Sequence, residues 1–168
     1  DMFVICDRVS STNPEYKKTW LLHTQNEPVV RKSSFYADEG EGRLLCKTIY
    51  PRDAVLTKIG GPGQEFFACG RNWDVAPEVK ERWGDKALWG NWRMEVSPGK
   101  ARKDDVFLHV IRAVDKTDGE PPFELPPTEL IEKDGSLGVR FTADGKTVTM
   151  TFATEGEAAG DIQIESCN

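Results

Sequence analysis

Val106-Phe107-Leu108-His109-Val110-Ile111-Arg112 is apolar at nearly every position, with Asp105 before it and Ala113-Val114 after it. A strand turns successive side chains to opposite faces, so a half-buried strand alternates apolar and polar residues, while one covered on each side stays apolar throughout. The run therefore predicts a central strand covered on both faces, and such burial implies two packed layers. His109 alternates with Phe107 and Ile111 in this run, which reads as a core histidine and not a catalytic one.

Strand signals recur outward from it. Residues 3–7, 19–25, 43–50, 54–59, 65–69 and 92–96 precede the 105–114 strand, and 130–132, 137–142, 147–153 and 161–165 follow it, several with apolar and polar residues in alternation. Lys133-Asp134-Gly135-Ser136 and Ala143-Asp144-Gly145-Lys146 each set Asp-Gly between strand-like runs and predict tight hairpins, because that pair reaches positive φ readily. Gly60-Gly61-Pro62-Gly63 breaks regular structure, and Pro121-Pro122 with Pro126-Pro127 marks a stiff extended connection. The one helix-like segment, 76–89, has Pro77 placed for a first turn. Together these features predict an all-β, two-layer antiparallel β-sandwich, a single domain over 1–168, with one long loop or short-helix excursion at about 73–91.

Composition narrows the function. The net charge of −6 argues against a nucleic-acid surface, which needs a basic face, and leaves an anionic substrate to be met by local cations. No apolar run approaches the roughly 20 residues of a membrane-spanning helix, so no membrane partner is expected. The opening Asp1-Met2-Phe3 lacks a basic leader and reads as a mature or excised piece. The wide spacing of Cys6, Cys46, Cys69 and Cys167 matches neither a metal knuckle nor a dense disulfide framework. Cys6, Cys46 and Cys69 lie in apolar runs and read as buried free thiols.

No phosphate loop, nucleophile elbow or metalloprotease signature is present, and with only His23 and His109 a site needing several imidazoles cannot be built. His23 ends a strand-like run where a polar, proline-terminated turn begins, a position equally suited to bonding loop carbonyls and to touching substrate or metal. The densest signal is aromatic. Trp73, Trp83, Trp89 and Trp92 fall close together among Arg71, Asn72, Arg82, Lys86, Asn91 and Arg93. Indole faces stack on the C–H face of a sugar ring, and Arg and Asn donate to its oxygens. Trp92 starts an alternating strand with Met94 and Val96 and reads as core. Arg71, Asn72, Trp73, Trp83, Trp89 and Arg93 are the candidate carbohydrate contacts, with simple anchoring of the loop as the competing reading. Asp38-Glu39-Gly40-Glu41 reads as a solvated acidic turn.

Six stretches carry a resemblance through their shared order: 3–9, 17–23, 42–51, 59–63, 90–98 and 105–110. In residues 2–115 the chain resembles the C-terminal β domain of heparinase II/III-like polysaccharide lyases. In those bacterial secreted or periplasmic enzymes an α/α toroid precedes a β-sandwich, and polysaccharide containing uronic acid is cleaved by β-elimination in the cleft between them. The resemblance implies a polysaccharide partner, an upstream toroid carrying most catalytic groups, and a sandwich that supplies one histidine. Some members hold a structural divalent metal there. His23 is the position that matches, for either role, while Gln25 stands where a second histidine is expected; no metal ligand is assigned. The resulting expectation is a carbohydrate-binding or cleft-completing module, non-catalytic in isolation. A small lyase or hydrolase with His23 as base, and a purely structural domain packing on a partner, are the alternatives.

Overall fold

The computed structural model describes residues 2–83, 89–116, 125–133 and 135–167; the side chains of Lys80 and Trp83 lie outside this description. In chain order the strands are β1 (Met2–Ser10), β2 (Trp20–Thr24), β3 (Val29–Arg31), β4 (Ser34–Glu39), β5 (Gly42–Tyr50), β6 (Val55–Gly60), β7 (Phe67–Ala68) and β8 (Arg71–Asn72). A short helix α1 (Pro77–Trp83) follows, then β9 (Trp92–Ser97), β10 (Asp104–Asp115), β11 (Thr128–Lys133), β12 (Ser136–Ala143), β13 (Lys146–Ala153) and β14 (Gly160–Ser166). The fold is all-β and antiparallel, as expected.

The apolar run read first is β10, the middle of the assembly. A five-stranded sheet runs β1-β10-β5-β4-β3. On one side of it Leu108, Val110 and Leu45 pack with Leu137, Val139 and Phe141 of the four-stranded sheet β11-β12-β13-β14. On the other side Ile111, Cys46 and Phe35 pack with Met94 of β9, joined by Trp20, Leu22 and Leu56. Those residues belong to a three-stranded sheet, β2-β9-β6. Coverage on both faces of β10 thus adds a third sheet to the sandwich. Fully burying each large aliphatic side chain contributes about 1.5–3 kcal/mol, so a strand buried on both faces is the strongest organising element available.

Turn chemistry holds at both predicted hairpins. Asp144 and Gly145 have φ of 50° and 70°, and Gly135 has φ of 69°, the left-handed values a tight two-residue connection needs; Asp134 lies outside the described residues. Over 65–69 the structure departs from expectation. Only Phe67–Ala68 is extended, because Cys69 and Gly70 turn the chain at φ of 52° and 81° so that Ala68 pairs with Arg71. Cys69 is consequently exposed at a hairpin corner and not a buried strand thiol; Cys46 is buried and Cys6 half-buried, and all four cysteines are free.

Lys18 ties the β1–β2 connection to the start of β10. Its ammonium is buried 3.1 Å from Asp105 Oδ2 and donates to Ser11 Oγ, Tyr16 O and Arg102 O. Arg102 in turn reaches both Asp105 and Asp53. Lys18→Met takes the ammonium from Asp105 Oδ2 and leaves Arg102 as the cation on that carboxylate, and should lower stability by about 1–3 kcal/mol, measured by urea denaturation; no measurable loss would mark the pair as solvated.

His109 is fully buried, stacked on Trp20 with ring centroids 3.8 Å apart, and its Nδ1 lies 3.3 Å from Thr48 Oγ1. Burial pushes its pKa down to about 4. The unfolded chain therefore takes up this proton first, as pH falls through about 6.5. Stability is complete above that pH and is lost progressively down to about pH 4, by about 3 kcal/mol in all. Denaturant midpoints should fall between about pH 7 and pH 5.5 in the wild type and fall less in His109→Phe, where His23 is the remaining imidazole. Parallel profiles would contradict the assignment.

Candidate functional site

The three-stranded sheet turns Trp20, Leu22, Met94, Val96 and Leu56 inward. Period-two alternation therefore sends Leu21 and His23 of β2, Arg93 and Glu95 of β9, and Thr57 and Ile59 of β6 to its outer face. Register places His23 opposite Arg93, Leu21 opposite Glu95, and Ile59 opposite Arg93. His23 and Arg93, far apart in sequence, are thus neighbours on one exposed surface.

The glycines at the end of β6, Gly60 and Gly61, let the chain leave that sheet and return to it. A Cβ at Gly60, where φ is 142°, would stand 2.3 Å from Asn91 O, and one at Gly61, where φ is 80°, would stand 2.6 Å from the Trp92 ring. Only glycine permits this approach. Gly61 N–H donates to Asn91 O, closing the two ends of the excursion together.

Inside the excursion the β7–β8 hairpin is pinned by two of the candidate residues. Asn72 Oδ1 accepts from the Phe66 N–H at 2.8 Å, and Arg93 donates to Phe67 O at 3.0 Å. Arg93 also donates through Nε and NH2 to Glu95 Oε1, and Lys17 donates to Glu95 Oε2. Burial alone would raise the Glu95 carboxyl, but the hydrogen bonds from Arg93 and Lys17 outweigh it and hold the group below the usual carboxylate range. Asn72 and Arg93 thus spend their polar atoms on holding the loop.

Trp73 is different. It is 47% exposed; its Nε1–H donates to Ala68 O at 3.1 Å, and the Arg71 guanidinium lies 3.3 Å from its ring centroid. The indole is held at the surface by its polar edge and by a stacked cation. Trp89 is half-buried and meets Phe66 edge-on, with centroids 5.8 Å apart. Trp92, read as core, is half-buried beside Gly61, with Lys58 Nζ 5.4 Å from its centroid. The side chain of Trp83, the remaining candidate contact, lies outside the described residues.

His23 joins this surface to a cleft of about 610 Å³. His23, Thr24 and Gln25 line it from β2 and the turn that follows, and Ala37, Leu44 and Ala113 line it from the central sheet, together with Asp38, Glu39 and Asp115. Desolvation, then the Arg93 charge, holds the His23 imidazole below its ordinary pKa, so it is neutral at pH 7. Asp38 accepts a two-pronged ion pair from Arg43 at 2.5 and 2.8 Å, which lowers its pKa. Asn26 Nδ2 bonds both Asp38 O and Glu39 Oε2, so the turn read as solvated is tied to the end of β2. Sequence reasoning named this turn but did not connect it to His23, and it did not reach Asp115. Among the described residues no three His, Cys, Asp or Glu side chains converge to hold a metal ion.

Compared with known proteins, the chain matches no family model and no curated protein.

Gly90 sits directly against His23: a Cβ there would lie 2.9 Å from His23 Cβ and 3.4 Å from Cγ. Gly90→Ala should displace the imidazole and cost on the order of 1 kcal/mol. Proton NMR of the His23 ring should show a changed shift and titration midpoint; unchanged His23 resonances would contradict the contact.

Proposed function

We propose that this chain is a β-sandwich module that contacts polysaccharide, of the cleft-completing kind found in heparinase-like lyases, and does not turn substrate over by itself. The observation that carries the reading is Trp73, an indole kept 47% exposed by a hydrogen bond at its edge and a guanidinium on its face. Exposing so much aromatic surface costs free energy in water, and stacking on the C–H face of a sugar recovers it without the ring having to be ordered on binding. The cleft beside His23 adds hydroxyl-bonding groups, Thr24, Gln25, Glu39 and Asp115.

Turnover by elimination needs a base, a group that stabilises the charge left beside the carboxylate, and a proton donor for the leaving oxygen. His23 is neutral and is suited to be the base. The nearest cation, Arg93, is committed to Glu95 and Phe67 O, and no tyrosine is among the described residues lining the cleft. A catalytic reading keeps one supporting observation, the exposed neutral imidazole at a cleft mouth. It predicts ultraviolet absorbance from unsaturated uronate that disappears in His23→Ala.

Calorimetry against heparin, alginate, chondroitin and neutral glucans tests the proposal. Binding to at least one glycan should weaken about tenfold in Trp73→Ala, the weight of roughly 1–1.5 kcal/mol for one stacked ring. No binding by a folded domain, or equal affinity in the variant, would overturn it.

A further inference from the structure

We infer that two copies of this chain pair through β14, extending the four-stranded sheet across a two-fold axis. β14 ends the order β11-β12-β13-β14, and among the described residues no strand pairs with its outer edge. Ala159 O accepts from the Ala153 N–H and the Cys167 N–H donates to Gly145 O, both at 2.8 Å, and the β13–β14 register runs between them without a shift. Backbone groups alternate in direction along an antiparallel strand. Asp161, Gln163 and Glu165 therefore bond to β13, while Gly160, Ile162, Ile164 and Ser166 point N–H and C=O to the open edge. The side chains there are apolar. Ile162 and Ile164 lie opposite Met150 and Val148, which pack against the core, yet remain 54% and 58% exposed. A strand edge with open donors and acceptors and apolar side chains beside them is a template for another strand.

The other edge of the same sheet is guarded. On β11, Glu132 lies opposite the buried Leu137 and so stands on the core side, where Arg52 pairs with it; an inward charge at an edge keeps a second strand away. β14 has none. Its acids, Asp161 and Glu165, share the outer side with Gln163, and they decide which strand can pair there. Two antiparallel copies of β14 centred on Asp161, Gln163 or Glu165 would set Asp161 against Asp161, Asp161 against Glu165, or Glu165 against Glu165, and like charges directly opposite are destabilising. Centred on Ile162 or Ile164, they set isoleucine against isoleucine and the Gln163 amide against a carboxylate, Asp161 in the first case and Glu165 in the second. Gln163 has an N–H to give. Its amide carries two, and the one hydrogen bond it donates, to Asp161 Oδ2 at 3.1 Å, stays within its own strand. The edge is thus complementary to a second copy of itself, and pairing of identical edges closes about a two-fold axis.

The test is sedimentation equilibrium of the whole chain at about 5–500 µM, a range that covers modest interfaces, under reducing conditions so that Cys69 and Cys167 stay free. The wild type should show a reversible equilibrium between monomer and dimer. Ile164→Lys should weaken it about tenfold or more, and Val55→Lys, which puts the same charge on an exposed residue of β6, should leave it unchanged. Amide exchange in the wild type, followed by NMR, gives a second readout that does not depend on how a variant folds. The N–H groups of Ile162 and Ile164 should exchange more slowly as concentration rises, while that of Gln163, already bonded to β13, should not respond in this way. A monomer over the whole range, a dimer that Ile164→Lys leaves intact or that Val55→Lys weakens as much, or concentration-dependent protection away from β14 would overturn the inference.

Discussion

The structure depends on burying both faces of β10. Leu108 and Val110 on one side and Phe107, His109 and Ile111 on the other are almost completely withdrawn from water, and no single partner sheet can do that. The central sheet therefore needs a layer on each side. The four-stranded sheet closes one, through Leu137, Val139 and Phe141; the three-stranded sheet closes the other, through Met94 and its neighbours. His109 is a titratable group drawn fully into this core. It is tolerated because Trp20 and Phe107 cover its ring faces and Thr48 meets one of its nitrogens.

Closing that second side decides where recognition can occur. With Trp20, Leu22, Met94 and Val96 committed inward, alternation leaves His23, Arg93 and Glu95 on the opposite face of the three-stranded sheet. The β7–β8 hairpin folds back onto this face. Gly60 and Gly61 allow the chain to pass Trp92 and Asn91, and Arg93 fastens the β7–β8 hairpin by its Phe67 carbonyl. The same residues that look like ligand contacts in the sequence, Asn72 and Arg93, are the ones that build the platform. Trp73 is what the platform presents.

Local rules made most of the fold readable from the sequence. Continuous apolarity marked β10 as central, Asp-Gly pairs marked two hairpins, Pro77 marked the start of the short helix, and the apolar neighbours of His109 marked it as core. Long-range pairing was not readable. β2, β6 and β9 form one sheet from three separated segments, and nothing in their alternation says which strands they join, so the third layer stayed hidden. At Cys69 strand propensity competed with Gly70 and lost, because the chain reverses there at two successive positive φ values. For the candidate site, the tryptophan-rich segment and His23 were visible as residue types. Their hydrogen-bond partners were not: whether Arg93 is free or spent on Glu95 depends on two side chains leaving the same face of a strand. The acidic lining of the cleft was also out of reach, since Asp38 and Glu39 of β4 and Asp115 of β10 meet His23 only in the folded chain.

The central claim is that the outer face of the three-stranded sheet, with the excursion pinned to it, is the contact surface. Amide hydrogen exchange followed by mass spectrometry, with and without a bound glycan, tests it most directly. Exchange should slow in peptides covering 21–26, 66–75 and 89–95, and remain unchanged in those covering β11 to β14. Protection confined to the four-stranded sheet, or absent under saturating glycan, would contradict the account.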